Sequence, residues 1–121
     1  MKLLLVDDHA TFRTMAARTL AMLGHQVIDV PTAEAAKVAF HREQPPPFDA
    51  VVVDVYLGDS DGRTLVDELE TSAKDLRVLF ITGDAQVTAQ LPEEPCPHRR
   101  FMLKPFLANE IEAALQELVR S

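Results

Sequence analysis

Tryptophan is absent from the 121 residues, and tyrosine and cysteine occur once each. A lone cysteine, Cys96, excludes an internal disulfide and suits a reducing compartment. Glycine is scarce, with four residues, and none of them builds a Walker or dinucleotide loop that would cradle a nucleotide phosphate. No apolar run approaches the roughly 18 residues of a membrane span. The opening MKLLLVDD lacks the shape of a secretory leader, because its apolar run stops at two carboxylates. The cytoplasm is therefore the expected location, with no membrane partner. Basic charge is in deficit: 12 Lys and Arg face 19 Asp and Glu, for a net charge of −7. Such a surface disfavours nonspecific contact with DNA or anionic lipid and leaves docking on a protein patch open. The short basic stretch His98-Arg99-Arg100 is too small to indicate nucleic acid and reads as a solvated edge or a partner contact.

What is present is enough apolar residue for a core, at 47% of a chain of one-domain length. Five short strands are expected at Lys2–Val6, His25–Val30, Asp49–Asp54, Arg77–Ile81 and Phe101–Lys104. Between them lie helical patterns. Residues 10–23 place Phe12, Met15, Ala16, Thr19, Leu20 and Leu23 on one face, and Gly24 ends that helix. Thr32 is positioned to cap a second helix with Ala35, Ala36, Ala39 and Phe40 inward. Pro45-Pro46-Pro47 breaks the chain before the third strand, and a loop over Val55–Gly62 leads to a helix carrying Leu65, Val66 and Leu69. Asp84–Leu91 is expected to be a short fourth helix, stopped by Pro92, Pro95 and Pro97. A last helix over Leu107–Arg120 turns Ile111, Ala114, Leu115, Leu118 and Val119 inward. The order is strand-helix repeated five times. Continuously apolar first, third and fourth strands imply a parallel sheet covered on both faces, and the more polar second strand belongs near an edge. One domain over residues 1–121, with no appended effector module, is the expected organisation.

Functional groups of an open parallel sheet gather beyond the carboxyl ends of its strands. Asp7 and Asp8 follow the first strand, Asp54 ends the third, Thr82 follows the fourth and Lys104 closes the fifth. Three carboxylates, a hydroxyl and an ammonium would share one rim. Carboxylates crowded together repel, and a hard divalent cation relieves that repulsion. A carboxylate can attack phosphorus, and a metal and a lysine offset charge on the transferring oxygens. Singly, each residue has a plainer reading. Asp7 and Asp8 could simply start a helix, Asp54 and Thr82 could form turns, Lys104 could be a surface lysine, and Phe101 could be core.

The segments LLLVDDH (3–9), VVVDVYLGDSDG (51–62), LFITGD (79–84) and FMLKPF (101–106) together resemble the receiver domain of two-component response regulators, a likeness that spans nearly the whole chain. The resemblance implies an α/β, doubly wound, flavodoxin-like (βα)5 parallel sheet with strand order 2-1-3-4-5. It implies a phosphorylation-dependent switch that accepts a phosphoryl group on Asp54 from a histidine kinase or histidine phosphotransfer protein. The metal would be Mg2+, with Mn2+ as a substitute, held by Asp8 directly, Asp7 mostly through water, Asp54, and the main-chain carbonyl of Tyr56. Thr82 and Lys104 would each meet a phosphoryl oxygen, and Phe101 would be the switch aromatic that follows Thr82. A cis peptide would join Lys104 and Pro105. Such a module assists its own phosphorylation and dephosphorylation and is not a metabolic enzyme.

Against this pattern the chain departs in three places. LPEEPCPHRR (91–100) replaces much of a longer fourth helix, so only a monomer or weak dimer is expected and an output face is not carried over. The switch aromatic is Phe101, which has no hydroxyl. The resemblance implies that Tyr56 and Asp84 occupy positions that tune hydrolysis in the family, one as a shield from water and the other as a group that could orient it. Gly62 and Gly83 read either as sites of close backbone approach or as ordinary turn residues. His9 lacks partners at metal-ligand spacing and reads as a rim residue. Two other readings compete. The first is a receiver-like binding module that no longer cycles phosphate and docks constitutively. The second is a flavin binder, which the missing phosphate loop after the first strand opposes. An EF-hand reading of GDSDG fails on ligand alternation and on the strand that precedes it.

Overall fold

A computed structural model of the chain describes residues 1–42, 48–58, 60–73, 75–84 and 98–120. Its strands are β1 (Lys2–Val6), β2 (Gln26–Val30), β3 (Ala50–Asp54), β4 (Tyr56–Leu57), β5 (Ser60–Asp61), β6 (Val78–Thr82) and β7 (Arg99–Leu103). Its helices are α1 (Ala10–Met22), α2 (Ala33–Arg42), α3 (Gly62–Glu70) and α4 (Ala108–Arg120). Five strands form one parallel sheet in the order β2-β1-β3-β6-β7. Counted along the chain, that is the order 2-1-3-4-5. The polar strand β2 is at an edge, as its composition suggests. The expected helix Asp84–Leu91, together with Cys96 and the proline clusters at 45–47 and 92–97, lies beyond Asp84 or otherwise outside the described residues.

Alternation of side chains along each strand feeds two cores. Leu4, Val6, Val51, Val53, Val78 and Phe80 meet Ala36 and Phe40 of α2 and Leu65, Val66 and Leu69 of α3. Leu3, Leu5, Val52, Leu79 and Ile81 meet Ala16 and Leu20 of α1 and Ile111, Leu115 and Leu118 of α4. Every residue of β3 and β6 is buried, which is why these strands read as unbroken apolar runs. Each buried Leu, Val or Phe contributes about 1.5–3 kcal/mol over leaving it exposed. Thr32 caps α2 as expected, its Oγ1 accepting from the Ala35 N–H at 3.1 Å. Gly24, at φ +96°, turns the chain out of α1.

Several expectations are corrected. Met15 is 61% exposed and Val119 38% exposed. Each neighbours a buried residue, Ala16 or Leu118, and one residue rotates a helix face by about 100°, so a stripe drawn one residue too wide takes in solvent-facing positions. The loop after β3 contains a small antiparallel pair, β4 with β5, and Gly62 opens α3 instead of closing the loop. The last sheet strand starts at Arg99, two residues earlier than its apolar run, because the main-chain ladder pairs Val78 with Arg99 whatever the side chain. Arg99 is no free edge cation. It bridges to Asp67 at 3.0 Å and to Glu70 at 2.8 Å on α3, and Arg100 faces Glu117 at 3.8 Å. No helix among the described residues is long and apolar enough to cross a membrane.

Candidate functional site

The carboxyl ends of β1, β3, β6 and β7 meet at one rim. Asp7 follows β1 and is fully buried, Asp54 ends β3 at 4% exposure, and Thr82 ends β6 fully buried. Lys104 follows β7, and its main-chain N–H donates to the Thr82 carbonyl at 2.8 Å. Two buried carboxylates are costly without compensation. Lys104 supplies it: Nζ lies 2.6 Å from Asp54 Oδ2 and 2.8 Å from Asp7 Oδ2. Burial lowers the pKa of this ammonium, but the hydrogen bonds and charges of Asp54 and Asp7 outweigh that effect and leave it above the usual lysine value.

The remaining oxygens are fixed by a repeated local device. Asp7 Oδ1 accepts from the His9 N–H at 2.8 Å, and Asp54 Oδ1 accepts from the Tyr56 N–H at 3.0 Å. Thr82 Oγ1 accepts from the Asp84 N–H at 3.1 Å. In all three, a strand-end side chain caps the main chain two residues on, as Asp and Thr do in turns. The segment that leaves each strand thus orients the group that ends it. Gly62 serves the same rim. A Cβ there would run into the main-chain oxygen of Asp54 and press on Val53 Cγ2 at 3.0 Å. Of its two readings, close backbone approach is the one the structure supports. A Cβ on Gly83 would meet nothing within 4 Å.

Asp7, Asp8, His9 and Asp54 each offer one ligand atom, and these atoms lie within 4.8 Å of one another. The donor set suits a divalent cation: three carboxylates against one lysine leave two negative charges, which one dication would cancel. Oxygen donors in the majority suit Mg2+ or Mn2+. Asp8 keeps about a third of its side chain exposed, whereas Asp7 is sealed in. His9 is a rim residue, 70% exposed, as expected. Contrary to the expectation that it lacks partners at metal-ligand spacing, it belongs to the cluster, with Nδ1 3.3 Å from Asp8 Oδ1 and 3.5 Å from Asp7 Oδ1. Its adjacency to the acidic pair was the available signal. Tyr56 reaches the site through its main-chain N–H, and the residue is 49% exposed. Phe101 lies deeper, half-buried and stacked on Phe80 with centroids 4.8 Å apart. The Lys104–Pro105 bond is cis. Arg13, absent from the sequence reading, donates from Nη1 to the Asp7 carbonyl at 2.9 Å and ties Asp29 of β2 at 3.3 Å.

Comparison with known proteins agrees with this geometry. The model of the response regulator receiver domain matches residues 3–116. The two-component response regulator PhoP of Pseudomonas aeruginosa is 32% identical over 120 residues, covering 99% of this chain and 52% of that protein. A probable transcriptional regulator, ycf27, of Galdieria sulphuraria is 27% identical over 119 residues, covering 98% of this chain and 45% of that protein. The chain thus spans about half the length of these curated relatives. The solved CheY-like response regulator receiver domain of Methylobacillus flagellatus superposes with a TM-score of 0.80 at 26% identity, covering 98% of each chain. With its sheet order, its acidic rim and a family match over almost its full length, this chain belongs to the response regulator receiver domain family.

Proposed function

We propose that residues 1–121 form one receiver domain in which Asp54 accepts a phosphoryl group from a phosphohistidine on a histidine kinase or histidine phosphotransfer protein. The observation that carries this reading is the Lys104 ammonium set between Asp54 and Asp7, at 2.6 and 2.8 Å. An Asp54 carboxylate oxygen attacks phosphorus, an O–P bond forms, and the donor P–N bond breaks. The electron pair of that bond returns to the imidazole nitrogen, which takes up a proton from water. The product is an aspartyl phosphate. Asp7, Asp8, Asp54 and the main-chain carbonyl of Tyr56 are the groups that would hold Mg2+, or Mn2+ in its place. The bound ion would neutralise charge on the transferring oxygens.

Transfer moves negative charge outward from the carboxylate to the phosphoryl oxygens. Lys104 follows that charge over a short distance, because its ammonium already sits on the acceptor. Thr82 gives up the Asp84 N–H and donates its hydroxyl to a second phosphoryl oxygen. Phe101 then moves further inward, and the rearranged surface is what a downstream partner reads. Hydrolysis of the acyl phosphate resets the site, with Tyr56 and Asp84 flanking the path of water. The chemistry is confined to the domain's own phosphorylation and dephosphorylation.

Incubation with Mg2+ and acetyl phosphate, followed by intact mass measurement, tests the reading. The parent gains one phosphoryl group and Asp54→Asn gains none. Equal uptake by the variant overturns it.

A further inference from the structure

Lysine is an awkward residue with which to place a charge. Its four-carbon stem is flexible, and its ammonium is a compact point charge without directional preference. The rim nevertheless needs Nζ at a fixed place. Phosphoryl transfer redistributes the charge of one of the two carboxylates that hold it, Asp54. A third contact, from a group that neither titrates nor reacts, is Phe12: Lys104 Nζ lies 4.1 Å from the centroid of its ring. That is well inside the reach of about 6 Å over which a ring quadrupole attracts a cation.

The ring is itself held from two directions. Phe12 lies in the first turn of α1, the helix that begins directly after Asp7, Asp8 and His9, and Ala16 and Leu20 seat that helix on the sheet. Phe106, two residues beyond Lys104, meets Phe12 edge to face, with centroids 5.7 Å apart and planes at 90°. The segment carrying the lysine therefore closes on Phe12 twice, once with the ammonium and once with an aromatic ring. Amphipathic spacing accounts for an apolar residue at position 12. It does not account for an aromatic face beneath a cation, since leucine would fill the same stripe.

We infer that Phe12 is a positioning residue for phosphoryl transfer, its π face holding the Lys104 ammonium beside Asp54, within short reach of the incoming phosphoryl oxygens. This rests on the reading of Asp54 as the phosphoacceptor. Phe12 itself touches no reacting atom and acts through Lys104.

Progressive fluorination of the Phe12 ring, introduced as mono-, di- and pentafluorophenylalanine, tests it. Fluorine drains the π face and nearly preserves ring shape. The inference expects the rate of phosphorylation by acetyl phosphate with Mg2+ to fall stepwise, by about three- to tenfold across the series, with Tm unchanged or raised. A flat series in a protein that does accept phosphate overturns the inference and leaves the Asp54 reading intact. A second readout needs no phosphorylation. The ring current of Phe12 should displace the Lys104 ε-methylene proton resonances upfield in the resting protein, and Phe12→Leu should abolish that displacement. Resonances at ordinary lysine positions in the parent overturn the inference, whatever Asp54 does.

Discussion

Lys104 Nζ stands 2.6 Å from Asp54 Oδ2, closer than its 2.8 Å approach to Asp7. One ammonium bridges two buried acids contributed by different strands. Removing it leaves both charges buried without a cation, which is the expensive way to break such a group. Lys104→Met should therefore lose about 3 kcal/mol of stability at neutral pH, read by urea unfolding. Saturating Mg2+ should restore part of that loss. A variant as stable as the parent would show that the bridge is not formed in solution.

Asp8 is placed differently. It is partly exposed, and among the described residues its ion-pair partner is His9. Asp8→Asn relieves repulsion within the rim and should raise metal-free stability by about 1 kcal/mol. The same change should remove most of the Tm increase that Mg2+ gives the parent, because a ligand at free concentration L stabilises by RT ln(1 + L/Kd), which vanishes once Kd far exceeds the Mg2+ concentration. Thermal unfolding with and without Mg2+ reads both effects.

Gly62 and Gly83 provide a paired test of backbone packing at the rim. Gly62→Ala drives a methyl group into the Asp54 main-chain oxygen, a backbone atom that cannot turn aside. It should cost at least about 2 kcal/mol and slow phosphorylation as β3 shifts. Gly83→Ala meets open space and should stay within about 0.5 kcal/mol of the parent in stability. Chemical unfolding of the two variants side by side distinguishes them.

A pH dependence follows from Asp61, the N-cap of α3. Its Oδ1 accepts from the Arg63 main-chain N–H at 2.8 Å, and the Arg63 guanidinium grips both carboxylate oxygens. The side-chain bond from Arg63 outweighs burial and lowers the Asp61 pKa below its ordinary value. A lowered folded pKa means stability that is present above the unfolded value and lost as pH falls through the folded one. Asp61→Asn keeps a capping oxygen and removes the charge. It should cost under about 1 kcal/mol near pH 7, because the pair is partly exposed. That difference from the parent should shrink toward zero as pH falls through the lowered folded value of Asp61. A difference that persists in acid would show that the Asp61 charge is not its source.

Much of this architecture is written in the chain. Strands buried on both faces must be apolar throughout, so β1, β3 and β6 announce themselves, and the rule that sites lie beyond strand ends then selects Asp7, Asp8, Asp54, Thr82 and Lys104. What escaped is what depends on neighbours brought from far along the chain. An apolar stripe shows Phe12 facing inward, but only the fold sets its ring beneath Lys104. A helix face has no sharp border in sequence, so the apolar stripes take in Met15 and Val119, which face solvent. Arg99 reads as part of a basic stretch until β7 is laid beside α3, where Asp67 and Glu70 take its charge. His9 has no second ligand at helical spacing, since its companions come from the end of β3 and from the residues directly before it.

The central claim is that one carboxylate of the acidic cluster becomes covalently phosphorylated. Borohydride reduction locates it, because it converts an aspartyl phosphate to homoserine and leaves free aspartate untouched. After incubation with Mg2+ and acetyl phosphate, reduction and peptide sequencing by mass spectrometry should find homoserine at position 54, with aspartate retained at 7 and 8. Homoserine at 7 or 8, or aspartate at all three positions after reduction, would contradict the account.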